Sequence, residues 1–266
     1  MTLSRTKANN LAEKFLTLLD QGLAEQKYQK FLEENTALIP REFLQNHGMH
    51  LDLVIRKLSL ARDYTTDFFY MAKSSADWHL VLVEIEKPQS KYFKNNRGDL
   101  HADFEAALGQ ISRWKAWMDN PARKNGFIDG TIASLRVPAQ MRSNPCHIKY
   151  VLVHGRRSEF EGNEDKKGII RSKETNDFKI LSYDSLVESL HTKGHLYVGI
   201  RKNDHYDIVS PHFVSETIFS WVDPSYLRIT SALRADILLH KSTWHHRKIG
   251  GGMMLDHVLT KIEPCD

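Results

Sequence analysis

Apolar positions recur with helical spacing at Leu11, Phe15, Leu18 and Leu19, then at Tyr28, Phe31 and Leu32. Residues 7–36 are therefore predicted helical, with an interruption near Gly22 and a close at Pro40. The pattern then changes period. "LDLVIRKLSL" (51–60) alternates and reads as a first strand. "YTTDFFYMA" (64–72) is enriched in Thr, Phe and Tyr, "SSADW" reads as a turn, and "HLVLVEIEK" (79–87) as the returning strand. Two strands joined so closely predict an antiparallel hairpin.

"QSKYFKNNRGDL" (89–100) reads as a polar loop. "HADFEAALGQISRWKAWMDN" (101–120) carries Phe104, Leu108, Ile111, Trp114 and Trp117 at helical spacing and stops at Pro121. "HIKYVLVHGRR" (147–157) predicts a buried strand, "EFEGNEDKKG" (159–168) a charged loop, and "DFKILSYDSLVESLH" (177–191) a strand followed by a helix. The order of elements predicts a mixed α/β fold, a small sheet flanked by helices. Residues 195–266 differ in character. "HLYVGIRK" and "HYDIVS" read as strands, and the remainder mixes aromatics, the histidines at 240, 245, 246 and 257, and "GGG" at 250–252. This segment is expected to be an appended C-terminal subdomain.

Composition narrows the classes. The chain has 266 residues, 41% hydrophobic and 26% charged, which is enough apolar material for a buried core. A formal net charge of +4 is compatible with a polyanionic partner without requiring one. Cys146 and Cys265 form no C-x-x-C, which argues against a disulfide scaffold or zinc ribbon and fits a reducing cytoplasm. With no apolar signal core and no 18-residue apolar run, the expectation is a cytoplasmic protein without a membrane partner.

The chemistry concentrates at the end of the returning strand. Side chains alternate along a strand, so Glu84 and Glu86 share a face while Val83, Ile85 and Lys87 take the other. A hairpin can bring Asp67 opposite or close to Glu84. Three carboxylates at one sheet edge repel one another, and a divalent cation removes the conflict. Oxygen-only ligands suit Mg²⁺ or Mn²⁺, with open positions for water and phosphate. Phosphodiester hydrolysis is the reaction such a site serves.

Asp67, then Glu84-x-Glu86 on the adjacent strand, then a helix carrying Gln110, resembles the PD-(D/E)XK nuclease superfamily and, within it, the nuclease-like domain of the Shedu anti-phage family. The stretches that carry the resemblance are "FLEENTALI" (31–39), "TDFFYM" (66–71), "LVLVEIEKP" (80–88) and "LHADFEAALGQISRWKAWM" (100–118), with "YVLVHGR" and "ILSYDSL" matching less specifically. The resemblance covers about residues 25–192. It implies a restriction-endonuclease-like core over residues 1–194 with N-terminal helices, and a DNA endonuclease or nickase acting against phage or plasmid DNA. It implies that Asp67, Glu84 and Glu86 bind Mg²⁺ or Mn²⁺ and that Gln110 supports the site or contacts phosphate. Glu33 or Glu34 matches the position of an extra acid. Glu86 stands where the superfamily pattern has Lys, which leaves open whether Glu86 or Lys87 takes that role. Lys87 reaches the acids only through a bulge or a strand end.

Basic side chains follow directly. Lys91, Lys94 and Arg97, interleaved with Tyr92 and Phe93, read as a flexible loop able to hold a nucleic-acid backbone, and Arg156 with Arg157 ends a strand where phosphate contact is plausible. Each assignment has a plainer rival: solvated strand-end acids, a solvated helix face for Glu33 and Glu34, an ordinary polar loop. Trp114 and Trp117 are expected in the core rather than against bases. The histidine spacings fit no zinc signature, and "IGGGMM" lacks the Lys and Ser/Thr of a P-loop. The alternative function is a catalytically inactive nuclease-like nucleic-acid-binding or sensor module; a third is a protein-interaction subunit. DNA is the expected partner, with RNA open, and a homo-oligomer is the expected assembly.

Overall fold

The computed structural model describes residues 2–95, 97–240 and 255–266. In chain order the elements begin with α1 (Arg5–Leu19), α2 (Glu25–Glu34), β1 (Met49–Arg56), β2 (Ser59–Leu60), β3 (Tyr64–Thr65), β4 (Phe68–Lys73), β5 (Trp78–Ile85), α3 (Ala102–Met118) and α4 (Pro121–Asn125). They continue with β6 (Cys146–Val153), α5 (Glu164–Arg171), β7 (Phe178–Leu181), β8 (Tyr197–Lys202), β9 (His205–Ile208), α6 (Thr217–Trp221), β10 (Leu227–Ile229), α7 (Ser231–Leu239), α8 (Leu255–Leu259) and β11 (Glu263–Pro264). The expected mixed α/β class is what the chain adopts.

The chain divides into two compact units. The first comprises Met1–Phe43, Val81–Asn120 and Ile148–His195; the second comprises Leu44–Leu80, Pro121–His147 and Leu196–Asp266. The last unit-2 segment starts at Leu196, and it folds with Leu44–Leu80 and Pro121–His147. The triple glycine, His245 and His246 lie outside the described residues. Among the described residues no helix is long and apolar enough to cross a membrane.

In the first unit β6 and β7 are parallel, with Tyr150 opposite Phe178 and Val153 opposite Leu181. β5 lies next to β6. The Glu86 amide donates to the Val153 carbonyl, and eight residues earlier on both segments the Trp78 amide donates to the Pro145 carbonyl, so β5 also runs parallel to β6. Parallel strands are covered on both faces, which explains why "LVLV" shows no polar alternation: Leu80 through Val83 are fully buried. α3 buries Phe104, Ala107, Ile111, Trp114 and Trp117, the stripe its period predicted. Its N-terminus is closed by His101 Nδ1 accepting from the Asp103 amide, with Asp103 and Glu105 in the first turn favouring the helix dipole. Phe15 of α1 stacks on Phe31 of α2 at 5.6 Å, and both Phe15 and Tyr28 reach Tyr183, each buried aromatic contributing about 1.5–3 kcal/mol of apolar transfer.

Two expectations change here. Residues 159–168 are not all loop: α5 starts inside them, capped by the Asn163 side chain accepting from the Lys166 amide and led by Glu164 and Asp165. The cap and the dipole stabilise a short helix whose composition reads as solvated loop. The helix expected after β7 is instead two 3-10 turns, Tyr183–Val187 and Leu190–Thr192, separated by Ser189 in the left-handed region (φ 53°).

In the second unit the strand order is β11-β10-β9-β8-β1-β4. β1 pairs antiparallel with β4 and parallel with β8, so the tail strand β8 is a neighbour of β1 and not part of an isolated subdomain. β1 breaks register between Met49 and Val54, where Leu51 and Asp52 have positive φ. Such a bulge re-aims the side chains it carries, and Asp52 accepts from Ser215 Oγ at 2.6 Å.

Candidate active site

Glu84 sits in the last turn of the pleat of β5, between fully buried Val83 and nearly buried Ile85, and is itself only 8% exposed. A carboxylate in that setting needs donors. One comes from α3: Gln110 Nε2 donates to Glu84 Oε1 at 2.5 Å. Gln110 stands one helical turn from Trp114 and one from Ala107, so the packing of the α3 stripe fixes where its amide points. The structure thus brings together two residues, 26 positions apart, that the resemblance assigned to one site.

Glu86 lies just beyond β5, which ends at Ile85. Its amide donates to Val153 and its carbonyl accepts from Tyr183 Oη, so the backbone is held from both sides. Its side chain is half-buried, whereas Lys87 is exposed and opens a turn closed by the Ser90 amide. Glu33 on α2 accepts from Gln29 Nε2 at 3.0 Å, and Glu34 pairs with Lys30 on the surface.

Asp67 belongs to the second unit. It precedes β4 and is 3% exposed. Its Oδ1 meets Lys57 Nζ at 2.5 Å, and its carbonyl accepts from the Lys57 amide. Lys57 is a residue that sequence reasoning missed. The signal is the antiparallel register: Arg56 faces Phe68, so the next pair is Lys57 and Asp67.

The expected convergence of three carboxylates is not present as a ready-made cage. Among the described residues no three His, Cys, Asp or Glu side chains gather into a set that could hold a metal ion. Mg²⁺ does not require one, because it takes one or two carboxylates and completes its shell with water and phosphate oxygens. Glu84, with Glu86 two residues on, offers oxygen-only donors of that kind.

The basic residues divide. Arg156, expected to contact phosphate, is committed to acids: its guanidinium meets Asp184 at 3.0 Å and Asp20 at 2.6 Å. Arg157 pairs with Glu188. Lys91, Lys94 and Arg97 are exposed. Beside Lys91 and Lys94, Tyr92 and Phe93 are buried and their amides donate to Glu159 Oε2. Tyr92 Oη donates to the His154 carbonyl, and burial raises its phenol well above the ordinary range. His154 packs against Tyr92 and Phe104, and its Nε2 lies 3.2 Å from the Lys91 carbonyl. Burial lowers it to about 4 and keeps the imidazole neutral, the Lys91 carbonyl acting in the opposite direction.

No curated protein matches the chain. A family model, Shedu protein SduA, C-terminal, matches residues 22–187. That span holds Glu33, Asp67, Glu84, Glu86 and Gln110, and it covers well over half of the chain. The chain belongs to the Shedu protein SduA C-terminal family, a membership that implies a role in anti-phage defence.

Proposed function

We propose that this protein is a metal-dependent DNA endonuclease or nickase of PD-(D/E)XK type that hydrolyses phosphodiester bonds in defence against phage or plasmid DNA. The observation that carries the reading is the buried Glu84 carboxylate held by Gln110 inside the family-matched region. Glu84 and Glu86, with Asp67 as the resemblance assigns it, would hold Mg²⁺ or Mn²⁺. The bound ion supplies Lewis-acid polarisation of the phosphodiester. Gln110 keeps one oxygen of Glu84 in a fixed direction, so the carboxylate does not have to reorganise during the reaction. Glu86, standing where the superfamily pattern has Lys, helps bind the metal or orient the attacking water, its backbone clamped by Val153 and Tyr183.

The test is cleavage of supercoiled plasmid with Mg²⁺, Mn²⁺ or chelator, beside Glu84→Ala and Asp67→Ala proteins and with an RNA substrate in parallel. Metal-dependent nicking lost in both variants supports the reading. Unchanged cleavage by either variant removes that residue from the site. One observation favours a second reading: Glu86 stands in the lysine position of the superfamily pattern and the neighbouring Lys87 is exposed. A binding or sensor module would retain nucleic acid in a salt-dependent way, with no metal requirement and no cleavage under any of these conditions.

A further inference from the structure

The three parallel strands of the first unit end together. β5 leads into residues 86–95, β6 into 154–160 and β7 into 182–184. In open α/β sheets ligands bind in the crevice beyond the carboxyl ends of parallel strands, where successive loops part. A cavity of about 670 Å³ lies there, lined by the end of α1, the loop after β5, the loop after β6 and Lys166 of α5. That volume is within the range of small-ligand sites, which run from roughly 300 to 1,000 Å³.

The charge of its wall is uneven in a specific way. Its cations are Lys91, Lys94, Arg156 and Lys166; its acids are Asp20 and Glu159. Asp20 is taken up by Arg156, which Asp184 also holds. Glu159 Oε2 is occupied by the Tyr92 and Phe93 amides. Lys166 Nζ lies 5.1 Å over the Phe93 ring and 3.3 Å from the Glu159 carbonyl. Neither the Lys91 nor the Lys94 ammonium has an acidic partner among the described residues. The wall therefore carries an uncompensated positive charge.

The frame that presents these lysines is stiff. Tyr92 and Phe93 are core residues, and the carbonyl of Lys91 faces the neutral His154. Gly155 has φ +54°, and a Cβ there would lie 2.6 Å from the Ser90 carbonyl oxygen and 2.7 Å from the Tyr92 ring. Only glycine lets the loop after β6 approach the loop after β5 so closely. Lysines on a prearranged backbone lose less freedom on binding an anion than lysines on a loose loop.

We propose that this cavity is a phosphate-ester site in which Lys91 and Lys94, supported by Lys166, bind the phosphates of a nucleotide-sized ligand. The phosphates can come from a free nucleotide or from one segment of a nucleic-acid strand. The site does not depend on cleavage, so its fate is separate from that of the proposed nuclease activity.

Isothermal titration calorimetry of the full chain in chelator, which stops any metal-dependent turnover, tests it with three probes: inorganic pyrophosphate, dATP and a ten-nucleotide DNA strand. The wild-type protein is expected to bind at least one of them. The Lys91→Ala/Lys94→Ala protein is expected to bind at least tenfold more weakly, while Lys202→Ala, at an exposed lysine of β8, leaves binding unchanged. Thermal unfolding of each variant checks that the fold is intact. Binding of pyrophosphate or dATP assigns a free nucleotide as the source; binding of the strand alone assigns the backbone. No binding by any probe, or equal binding by the double variant, overturns the proposal. Lysine-dependent binding without plasmid cleavage keeps it and removes the nuclease reading.

Discussion

Two buried carboxylates, one in each unit, are held by donors at the same distance and of different kinds. In the second unit Asp67 meets the Lys57 ammonium at 2.5 Å; in the first, Glu84 meets the Gln110 amide at 2.5 Å. An ammonium cancels charge, and removing it leaves a buried anion, which is destabilising. An amide directs a carboxylate without cancelling its charge, so the anion stays available to a cation. The lesson is that an acid at a strand end is not one kind of feature. Its partner decides whether it reads as structure or as chemistry.

The comparison can be broken hardest at the acids themselves. Glu84→Ala and Asp67→Ala are each expected to lower plasmid cleavage by about a thousandfold or more, several kcal/mol of lost transition-state stabilisation. If only Glu84→Ala does so, Asp67 is structural and the contrast between the units is complete. Next comes Gln110→Ala, expected to cost about tenfold to a hundredfold in cleavage rate and about 1–3 kcal/mol in unfolding free energy. A larger loss of stability than of rate, measured by denaturant unfolding beside steady-state kinetics, would make the amide a packing element.

Histidines test whether the units fail together in acid. His50 in the second unit is buried, donates from Nε2 to the Leu135 carbonyl at 2.9 Å, and is lowered to about 3 by burial, with Lys73 adding to the effect. His154 in the first is lowered to about 4. Both bases have folded values below the ordinary 6.5, so the unfolded chain binds the extra protons. Their stabilisation is present above about 6.5 and is lost as pH falls toward the folded values. Between pH 8 and pH 5 each is expected to remove about 2 kcal/mol. His154→Gln and His50→Gln should each flatten that slope in urea titrations, and an unchanged slope in either would exclude that histidine as the source.

The smallest effect is at the lysine. Lys57→Met is expected to lower stability by about 1–2 kcal/mol, discounted from the buried-pair range because Lys57 is half exposed, and Lys57→Arg to restore most of it. A double-mutant cycle with Asp67→Asn isolates the pair; a coupling energy near zero would show that Asp67 is held by its other contacts.

The sequence was most legible where one period governs a segment. The buried run Leu80–Val83 marked β5 and the stripe Phe104–Ile111–Trp114 marked the inner face of α3, while the resemblance singled out Glu84 and Gln110 upon them. Capping was present in "GNED" at 162–165 but was outweighed by charge, so α5 was read as loop. "KPQSKYFKNNR" looked mobile because its lysines dominate the composition, while Tyr92 and Phe93 hold it in the core.

By itself, then, the sequence determined the α/β class, the helix and strand that carry Glu84 and Gln110, and the family to which those motifs belong, because local period and residue type are properties of neighbouring positions. Only the tertiary structure decided that Lys57 faces Asp67, that Arg156 is taken up by Asp20 and Asp184, that Leu196–Asp266 folds with Leu44–Leu80, and that three parallel strand ends open on a cavity with two uncompensated lysines. Those facts depend on register and on contacts between residues as many as 163 positions apart, and no local pattern encodes which distant partner will neutralise a charge.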